Sequence, residues 1–261
     1  MAKDYYKGFA ECYHRHFEVN SRGDIRFYTE LARQAGGKVL EIGCGTGRTL
    51  IPSARAGASV TGMDISENML SYCRKLLSEE AQEVQKRVEL ISGNMADFSM
   101  KDRYRLITTP FRPFQHLATV EEQLSALKCI REHLEDKGTF ILDIFDPDME
   151  ILTDYDRAEE FGEEPPFLLS DGTEVTVSYR TPSVDTVNQI AHCEMIFSKV
   201  FPDGTRRRDV QEFIMRYTFR WEAEHLLHRG GFRVVKVMGG YEGEPAGAGD
   251  LVFFCEKLHS T

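Results

Sequence analysis

The sequence lacks any recognisable arrangement of metal-ligating or disulfide-forming residues. Its six cysteines are scattered, with no C-x-x-C pair and no pattern of a histidine-containing ligand cluster. They occur at positions 12, 44, 73, 129, 193 and 255. Cysteines scattered in this way are typical of reduced thiols inside a cell, and not of a zinc site or a disulfide framework. We therefore expect no metal site and a cytoplasmic protein.

Long hydrophobic runs and a surplus of positive charge are also missing. No segment approaches the ~18 apolar residues of a membrane span, and residues 1–7 carry no apolar stretch of signal-peptide type. The chain has 32 basic and 42 acidic residues, which give a formal net charge of −10. Nucleic acids and anionic membranes attract basic surfaces, so neither is an expected partner. The basic run at 206–208 follows a Pro-Asp-Gly turn and is interpreted as a solvated hairpin end.

A regular alternation of strand and helix patterns occupies residues 22–147. A length of 261 residues with 41% hydrophobic content is sufficient for one large domain. Strands are predicted at 39–42, 59–63, 88–92, 106–109 and 139–145, and helices at 22–36, 46–56, 67–78 and 120–134. Repeated β-α-β units with short turns predict parallel strands in a doubly wound sheet.

The pattern changes after residue 147. Residues 148–170 are acidic and irregular, and alternating β-branched and aromatic residues then predict three antiparallel strands. These strands lie at 174–179, 189–201 and 209–219, before a helix at 222–229 and strands at 232–238 and 251–256. We therefore predict an α/β protein with a doubly wound, seven-stranded, mostly parallel sheet and a late antiparallel β insertion.

A glycine-rich turn after the first strand is the most informative local feature. The sequence K-V-L-E-I-G-C-G-T-G-R at 38–48 places glycines at 43, 45 and 47. Because glycine has no side chain, a ligand can lie against the backbone and the helix N-terminus. The G-x-G-x-G spacing departs from the dinucleotide fingerprint G-x-G-x-x-G, which argues against a nicotinamide-dependent oxidoreductase. Glu41 would repel a pyrophosphate but suits a ligand with an ammonium or sulfonium group.

This turn resembles motif I of the Rossmann-like, class I S-adenosylmethionine (SAM) methyltransferases. Asp64 follows Glu41 by 23 residues, where an acid can accept hydrogen bonds from ribose hydroxyls; the alternative is that it only caps the next helix through Ser66. Residues 92–98 resemble the family's G-D-[MA]-x-[DE]-[FL] loop, although Asn94 replaces its acid, and Arg105 departs from the family's Phe-Asp pattern. The resemblance implies SAM as the cofactor and S-adenosylhomocysteine as its product. The expected cofactor-binding residues are Glu41, Gly43, Cys44, Gly45, Gly47, Asp64, Ile65, Met69, Asn94, Met95 and Thr109.

The loop after the fourth strand, at 108–117, is the expected catalytic position, because ligands of such sheets bind beyond the carboxyl ends of the strands. The loop contains His116, and a neutral imidazole can orient an amine or take a proton from a hydroxyl. Amino-sugar N-methyltransferases have a histidine at a similar place, and their amino-terminal segment resembles residues 9–13. This resemblance implies His116 and Tyr13 as catalytic residues. The alternative for His116 is a histidine at a helix start that bonds to the backbone.

Aromatic and basic side chains near this loop are candidates for acceptor binding. They are Tyr5, Tyr6, Phe111, Phe114, Arg220 and Tyr241. The aromatic first segment is interpreted as a lid helix over the cofactor. Arg180 and Arg216 could also meet an acidic group of the acceptor, but solvated strand faces explain these arginines equally well.

Together these features predict a SAM-dependent methyltransferase that methylates N or O of a small-molecule acceptor by in-line displacement. The cofactor supplies the activated carbon, so a strong base is not obligatory. The alternatives are a protein or RNA methyltransferase and a non-catalytic SAM-binding regulatory protein. The single predicted domain, 1–261, comprises lid helices (1–36), a cofactor-binding core (37–147), a substrate cap (148–220) and a C-terminal return to the sheet (221–261). The acceptor, the methylated atom, the use of a base and the choice between monomer and homodimer stay open.

Overall fold

The computed structural model describes residues 9–19, 23–145, 147, 159–162, 165–246 and 249–258. Its helices are α1 (Ala10–Val19), α2 (Asp24–Gln34), α3 (Leu50–Arg55), α4 (Glu67–Ser78), α5 (Gln82–Gln85), α6 (Val120–His133) and α7 (Arg220–Arg229), with a 3-10 turn at Pro113–His116. Its strands are β1 (Val39–Ile42), β2 (Val60–Asp64), β3 (Val88–Ser92), β4 (Tyr104–Thr109), β5 (Leu134–Phe145), β6 (Phe167–Leu168), β7 (Glu174–Asp185), β8 (Ile190–Val200), β9 (Arg206–Arg216), β10 (Phe232–Met238) and β11 (Asp250–Lys257). No helix within these described ranges is long and apolar enough to cross a membrane. Tyr5 and Tyr6 lie outside the described residues.

Seven strands form the main sheet, in the order β3-β2-β1-β4-β5-β11-β10. The neighbouring pairs among β1 to β5 are parallel, whereas β11 runs antiparallel to both β5 and β10. This arrangement confirms the predicted doubly wound, mostly parallel sheet.

The central strands β1, β2 and β4 are buried on both faces, which explains why they are rich in apolar residues. All four residues of β1 are buried. Leu40 and Ile42 pack in a core cluster with residues of α6 and α7, whereas Val39 packs in a second cluster with residues of α2, α3 and α4. The remaining buried residue of β1, Glu41, is an acid in an apolar strand and therefore calls for a functional explanation.

The strand order reverses beside β1. The chain proceeds from β1 outward to β2 and β3, and then returns to β4 on the other side of β1. The loops after β1 and β4 therefore diverge at the carboxyl edge of the sheet and leave a crevice, which is where ligands bind in doubly wound folds.

The insertion forms a separate antiparallel sheet in the order β6-β7-β8-β9. The sequence predicted three of these four strands. The additional strand, β6, has two residues, too few for an alternating pattern to reveal. Helix α1 packs on this sheet, because Phe17 lies in one apolar cluster with Val177 and Phe197. We call the sheet β6–β9 the cap.

Several element boundaries differ from those expected. Helix α3 begins at Leu50 and not at 46, because residues 45–49 continue the glycine turn. Strand β9 begins and ends three residues earlier than the predicted 209–219. The four-residue helix α5 was not predicted, since one turn shows no periodicity. The predicted cap of α4 is confirmed: the Ser66 hydroxyl accepts a hydrogen bond from Met69 N at 3.3 Å.

Candidate active site

The three glycines of the turn after β1 make different contacts. Gly43, Gly45 and Gly47 have φ values of 72°, 54° and 86°, which favour glycine at each position. A Cβ atom on Gly43 would lie 2.4 Å from Pro113, and one on Gly47 would lie 2.6 Å from Cys73 Sγ. These two glycines therefore admit close protein neighbours. A Cβ atom on Gly45 would meet nothing within 4 Å, so Gly45 presents bare backbone to open space.

Asp64 joins the glycine turn to the start of α4. Its Oδ2 accepts a hydrogen bond from Gly45 N at 2.8 Å, and its Oδ1 accepts one from Ser66 N at 2.8 Å. The helix-capping interpretation of Asp64 is thus present in the structure. A carboxylate oxygen can accept more than one hydrogen bond, so backbone and hydroxyl donors can share the Asp64 carboxylate.

Glu41 lies in the last part of β1 and is 3% exposed. Thr49 donates a hydrogen bond from Oγ1 to Glu41 Oε1 at 2.7 Å. Burial raises the pKa of the Glu41 carboxyl to about 7, which the Thr49 hydrogen bond and the nearby Arg48 charge partly oppose. A cationic ligand beside this carboxyl would favour its ionised form.

A cavity of about 320 Å³ opens in the crevice. Twelve of the residues predicted to bind or react line it: Tyr13, Glu41, Gly43, Cys44, Gly45, Asp64, Ile65, Met69, Asn94, Met95, Phe111 and His116. Cys44 is buried, and burial raises the pKa of its thiol well above the usual value, so it is no nucleophile. Asn94 Oδ1 accepts a hydrogen bond from Ala96 N at 3.0 Å, which fixes its amide at the edge of the cavity.

Phe111 and Arg112, in the loop after β4, have φ values of 62° and 71°. Non-glycine residues seldom adopt this conformation, so the surrounding contacts must hold the loop. Phe111 N donates to Asp143 Oδ2 at 3.1 Å, and the Arg112 guanidinium pairs with Asp250. Burial raises the pKa of the Asp143 carboxyl to about 6.

His116 ends the 3-10 turn and is partly buried against the cap. Its Nδ1 lies 2.8 Å from the Ile214 carbonyl oxygen of β9. A carbonyl can only accept, so Nδ1 carries the hydrogen, and in the neutral ring Nε2 is the acceptor nitrogen. Burial lowers the pKa of His116, which keeps the ring neutral at pH 7. The alternative of a backbone-bonded histidine is therefore observed, and it is compatible with a chemical role for Nε2.

Gln115 fixes the position of this turn. It is 1% exposed, and both ends of its amide are used. Oε1 accepts from Phe145 N at 2.9 Å, and Nε2 donates to the Arg216 carbonyl at 3.1 Å. Gln115 therefore connects the end of β5 to the end of β9, immediately beside His116.

Helix α1 covers the cavity from the side of the cap. Tyr13 lies in the cavity wall, and burial raises its pKa to about 12, so the phenol keeps its proton at neutral pH. His14 Nδ1 lies 3.0 Å from Thr46 Oγ1 in the glycine turn. The lid role expected for residues 1–36 stays a prediction.

Five predicted site residues do not line the cavity: Gly47, Thr109, Phe114, Arg220 and Tyr241. The Thr109 hydroxyl donates to the Ile141 carbonyl within the sheet, and Phe114 is buried in the core. Arg220 pairs with Glu224 and stacks on Trp221. The side chains of Thr109, Phe114 and Arg220 are thus held by protein groups, and the ligand roles predicted for all five residues stay predictions.

Two further arginines of the insertion are likewise held by protein groups. Arg180 forms an ion pair with Glu194 at 2.6 Å, and Arg216 donates to the Ala118 carbonyl at 2.9 Å. The exposed Arg207 of the basic run pairs with Asp209 at 2.8 Å, in agreement with a solvated hairpin end.

Comparison with known proteins indicates which reaction this kind of crevice supports. Residues 39–138 match the model of a methyltransferase domain family. The chain is 28% identical to the cypemycin N-terminal methyltransferase of a Streptomyces species over 212 residues, which cover 80% of this chain and 78% of that protein. It is 29% identical over 105 residues to the dTDP-3-amino-3,4,6-trideoxy-alpha-D-glucopyranose N,N-dimethyltransferase of Streptomyces venezuelae, with 40% and 41% of the two chains covered.

The fold agrees with this match over nearly the whole chain. The solved structure of the CcbJ methyltransferase from Streptomyces caelestis aligns with a TM-score of 0.76 and 21% identity, over 99% of this chain and 100% of that chain. The chain is a class I methyltransferase that uses S-adenosylmethionine. The predicted enzyme class, its cofactor and the resemblance to amino-sugar N-methyltransferases are confirmed.

The crevice of the methyltransferase fits this cofactor. The open space at Gly45 is one that any side chain would fill, and the buried Glu41 is otherwise an unexplained acid in an apolar strand. Among the described residues, no group of three or more His, Cys, Asp and Glu side chains could hold a metal ion.

The sequence patterns missed Arg48, which lines the cavity of the methyltransferase. Its guanidinium forms two hydrogen bonds to the Asp24 carboxylate, which is 0% exposed, and lies 4.8 Å from the centre of the Phe111 ring. The only sequence signal would have been a basic residue directly after the glycine turn and an acid at the start of α2. Their pairing depends on the packing of α2 against the turn.

Proposed function

We propose that this methyltransferase transfers the methyl group of SAM to the nitrogen of an amine on a small-molecule acceptor. When bound, the cofactor supplies a methyl group activated by a sulfonium for in-line displacement. The chain's own residues align the acceptor, exclude water and receive the proton that the amine loses. The choice of nitrogen rests on one observation: the His116 imidazole is neutral and donates its Nδ1 hydrogen to the Ile214 carbonyl.

On the cofactor side, three groups would hold the bound nucleotide. Gly45 offers bare backbone, the Asp64 carboxylate is an acceptor suited to ribose hydroxyls, and the Glu41 carboxyl suits a cationic group. Asn94 and Met95 also line the cavity, and we assign them to the adenine together with Ile65 and Met69.

On the acceptor side, the cavity wall combines apolar and aromatic side chains with one imidazole. Phe111, Leu117 and Ile214 form the apolar part, and Tyr13 and His116 complete the wall. Such a lining excludes water from the reacting atoms, which protects the methyl group from hydrolysis.

The protonation state of His116 favours an amine over a hydroxyl. A neutral amine attacks with its own lone pair and needs no strong base, so a neutral imidazole is sufficient to orient it by accepting a hydrogen bond at Nε2. Burial lowers the pKa of His116, which makes it a poor base for an alcohol of much higher pKa. Its hydrogen bond to the Ile214 carbonyl stabilises the tautomer that can accept a proton at Nε2.

The charge of the cavity wall also favours an amine acceptor. Glu41, Asp64 and Glu122 bring carboxyl groups to the wall, and the guanidinium of Arg48 is already paired with Asp24. Such a lining attracts the cationic end of an acceptor. The net charge of −10 likewise disfavours RNA.

The relatives support an amine acceptor of more than one size. One dimethylates an amino sugar nucleotide, and another methylates the amino terminus of cypemycin. A free amino group is common to both. We propose an amino sugar or a comparably small amine as the acceptor, and treat a short peptide amino terminus as the competing outcome of the test.

The test incubates the purified protein with SAM and three acceptor sets: amino sugar nucleotides, their hydroxyl counterparts, and short peptides with a free amino terminus. We expect S-adenosylhomocysteine formation and a gain of methyl groups on the amino sugars, and none on the hydroxyl counterparts. Methylation only of hydroxyls would overturn the choice of nitrogen. Methylation only of peptides would replace the proposed acceptor class.

The role of His116 is tested in the same assay. His116→Asn keeps a hydrogen-bond donor for the Ile214 carbonyl but removes the basic nitrogen. We expect kcat to fall by about 100-fold, with the Kd for SAM unchanged within about twofold by calorimetry. A variant with full kcat would show that the amine needs no protein base.

A further inference from the structure

One carboxylate oxygen of Asp143, in β5, accepts hydrogen bonds from three separate parts of the chain. The residue is 0% exposed. Its Oδ2 accepts hydrogen bonds from Tyr28 OH at 3.0 Å, from Tyr241 OH at 2.8 Å and from Phe111 N at 3.1 Å. The donors come from α2, from the segment after β10 and from the loop after β4, so a single carboxylate fixes all three relative to the sheet.

The hydrogen bond from Phe111 N to Asp143 stabilises a strained stretch of backbone. Phe111 and the next residue, Arg112, both have positive φ. Side chains disfavour this conformation, and it persists only where neighbouring contacts hold it. The Asp143 bond holds Phe111 N, and the Asp250 ion pair holds Arg112. Without them the loop would relax, and the Phe111 ring would leave the cavity wall.

Helix α2 provides a second connection between Asp143 and Phe111. Tyr28 and Asp24 are four residues apart, so they lie on one face of the helix. Tyr28 bonds to Asp143, and Asp24 pairs with Arg48, whose guanidinium stacks on the Phe111 ring. Asp143 thus supports Phe111 directly at its backbone and, through α2 and Arg48, at its ring.

We propose that Asp143 is a positioning residue for methyl transfer, which holds Phe111 in the acceptor wall without touching the acceptor. The proposal rests on the proposed function for the identity of that wall. It also gives Tyr241 a role that the sequence did not predict: its hydroxyl acts on Asp143 and not on the acceptor.

The first test needs no acceptor. Pro110 and Pro113 have no amide hydrogen, so Phe111 and Arg112 supply the only two amides between them. Hydrogen–deuterium exchange, measured by mass spectrometry on the whole protein, can therefore follow the Phe111 amide closely. We expect Asp143→Ala to speed its exchange by about tenfold or more, since one buried hydrogen bond is lost.

Two variants separate this effect from general destabilisation. Asp143→Asn keeps an oxygen that can accept from Phe111 N, so it should restore most of the protection. Tyr104→Phe removes a buried hydroxyl, bonded to Met100 Sδ at 3.3 Å, at the opposite end of β4. We expect this control to leave the Phe111 amide unchanged. Equal exchange in wild type and Asp143→Ala, or a rate in Tyr104→Phe matching Asp143→Ala, would overturn the proposal.

The second test uses the acceptor that the wild-type screen identifies. Asp143→Ala should raise KM for the acceptor by about tenfold and leave the Kd for SAM within about twofold. A structural defect alone would weaken both. If Asp143→Ala does not fold, the double variant Tyr28→Phe/Tyr241→Phe replaces it, with about a threefold rise in KM expected.

The outcomes of the two proposals are distinguishable. A wild type that methylates no acceptor, together with fast Phe111 exchange in Asp143→Ala, would remove the proposed function but keep the positioning of the loop. Normal methylation by Asp143→Ala, with unchanged acceptor KM, would keep the proposed function and remove the role of Asp143.

Discussion

The proposed cofactor side and the proposed acceptor side of the crevice are built in different ways. On the cofactor side, contacts join residues that are close in sequence: Asp64 bonds to Gly45 and Ser66, and Thr49 bonds to Glu41. On the acceptor side, partners are distant: His116 bonds to the Ile214 carbonyl, 98 residues away. The first geometry is therefore set largely by local sequence, and the second by the assembly of sheet, cap and helices.

This difference predicts how substitutions act. A change on the cofactor side should alter one ligand contact and leave the acceptor wall in place. A change on the acceptor side should propagate through several elements, since each side chain there depends on remote partners. The following experiments test whether the two sides respond differently to substitution.

The largest effect is expected from Gly45→Arg. The arginine side chain would fill the open space at the glycine turn, and we expect SAM affinity to fall by about 100-fold or more in calorimetric titration. Gly36→Arg is the matched control, because Gly36 also has a positive φ, 66°, and open space around it. Both variants carry the backbone cost of about 1 kcal/mol, but only Gly45→Arg should lose the cofactor. An equal loss of SAM affinity in both variants would contradict the prediction that the effect is confined to the space at Gly45.

Next in size is the pH dependence that Glu41 imparts to stability. Its pKa rises from 4.5 to about 7 on folding, so the folded state retains a proton that the unfolded state releases between these values. The stability contributed by this carboxyl is fully present below pH 4.5 and is lost as pH rises through 7, by about 3 kcal/mol at most. The Glu41→Gln variant has no carboxyl at this position, so it should not lose this stability as the pH rises.

We therefore expect the unfolding free energy of Glu41→Gln, relative to wild type, to increase steadily from pH 4.5 to 7.5. Urea titrations without cofactor measure it. Glu121→Gln, at an exposed position in the first turn of α6, is the control and should show no such trend. A flat difference for Glu41→Gln would mean that the carboxyl ionises normally inside the fold.

A smaller effect is expected at Gln115 on the acceptor side. Gln115→Met leaves Phe145 N and the Arg216 carbonyl without their amide partner, which loosens the cap beside His116. We expect kcat to fall by about tenfold and the Kd for SAM to stay within about twofold. Gln85→Met removes an amide that bonds to the Glu80 carbonyl, far from the cavity, and should have no effect on kcat. Loss of SAM affinity in Gln115→Met would show that the two sides are not separable.

The smallest effect is expected from Tyr13→Phe. Burial keeps the Tyr13 phenol protonated up to a pKa of about 12, so it can donate a hydrogen bond but cannot act as a base at neutral pH. We expect kcat to fall about threefold, with the pH profile unchanged between pH 6 and 9. Tyr217→Phe, buried beyond the end of β9, is the control. A shift of the alkaline limb in Tyr13→Phe would assign Tyr13 an ionisable role.

The same contrast explains what the sequence could predict. The glycine turn, Asp64 and the order of helices and strands follow from patterns within a few residues, and the structure contains them. His116 was found because a loop after β4 has a known place in this fold. Tyr13 was found only through the resemblance of its segment to a family.

Residues whose roles depend on distant partners escaped prediction. Arg48 pairs with Asp24, and Asp143 bonds to Tyr28, 115 residues away. No periodicity or spacing in one chain encodes such pairs, because they arise only when separate elements pack. For the same reason Tyr241 was interpreted as an acceptor contact, although in the structure its hydroxyl is bonded to Asp143.

The contact between Gly43 and Pro113 sets a limit for protein engineering. Any Cβ at position 43 would lie 2.4 Å from the Pro113 side chain, so the acceptor loop rests directly on the cofactor turn. Redesign of the acceptor pocket that displaces Pro113 would disturb the nucleotide site as well. Positions on the cap, such as Ile214, lie in the cavity wall without this contact. A library aimed at new acceptors is therefore better placed on β9 than on the loop after β4.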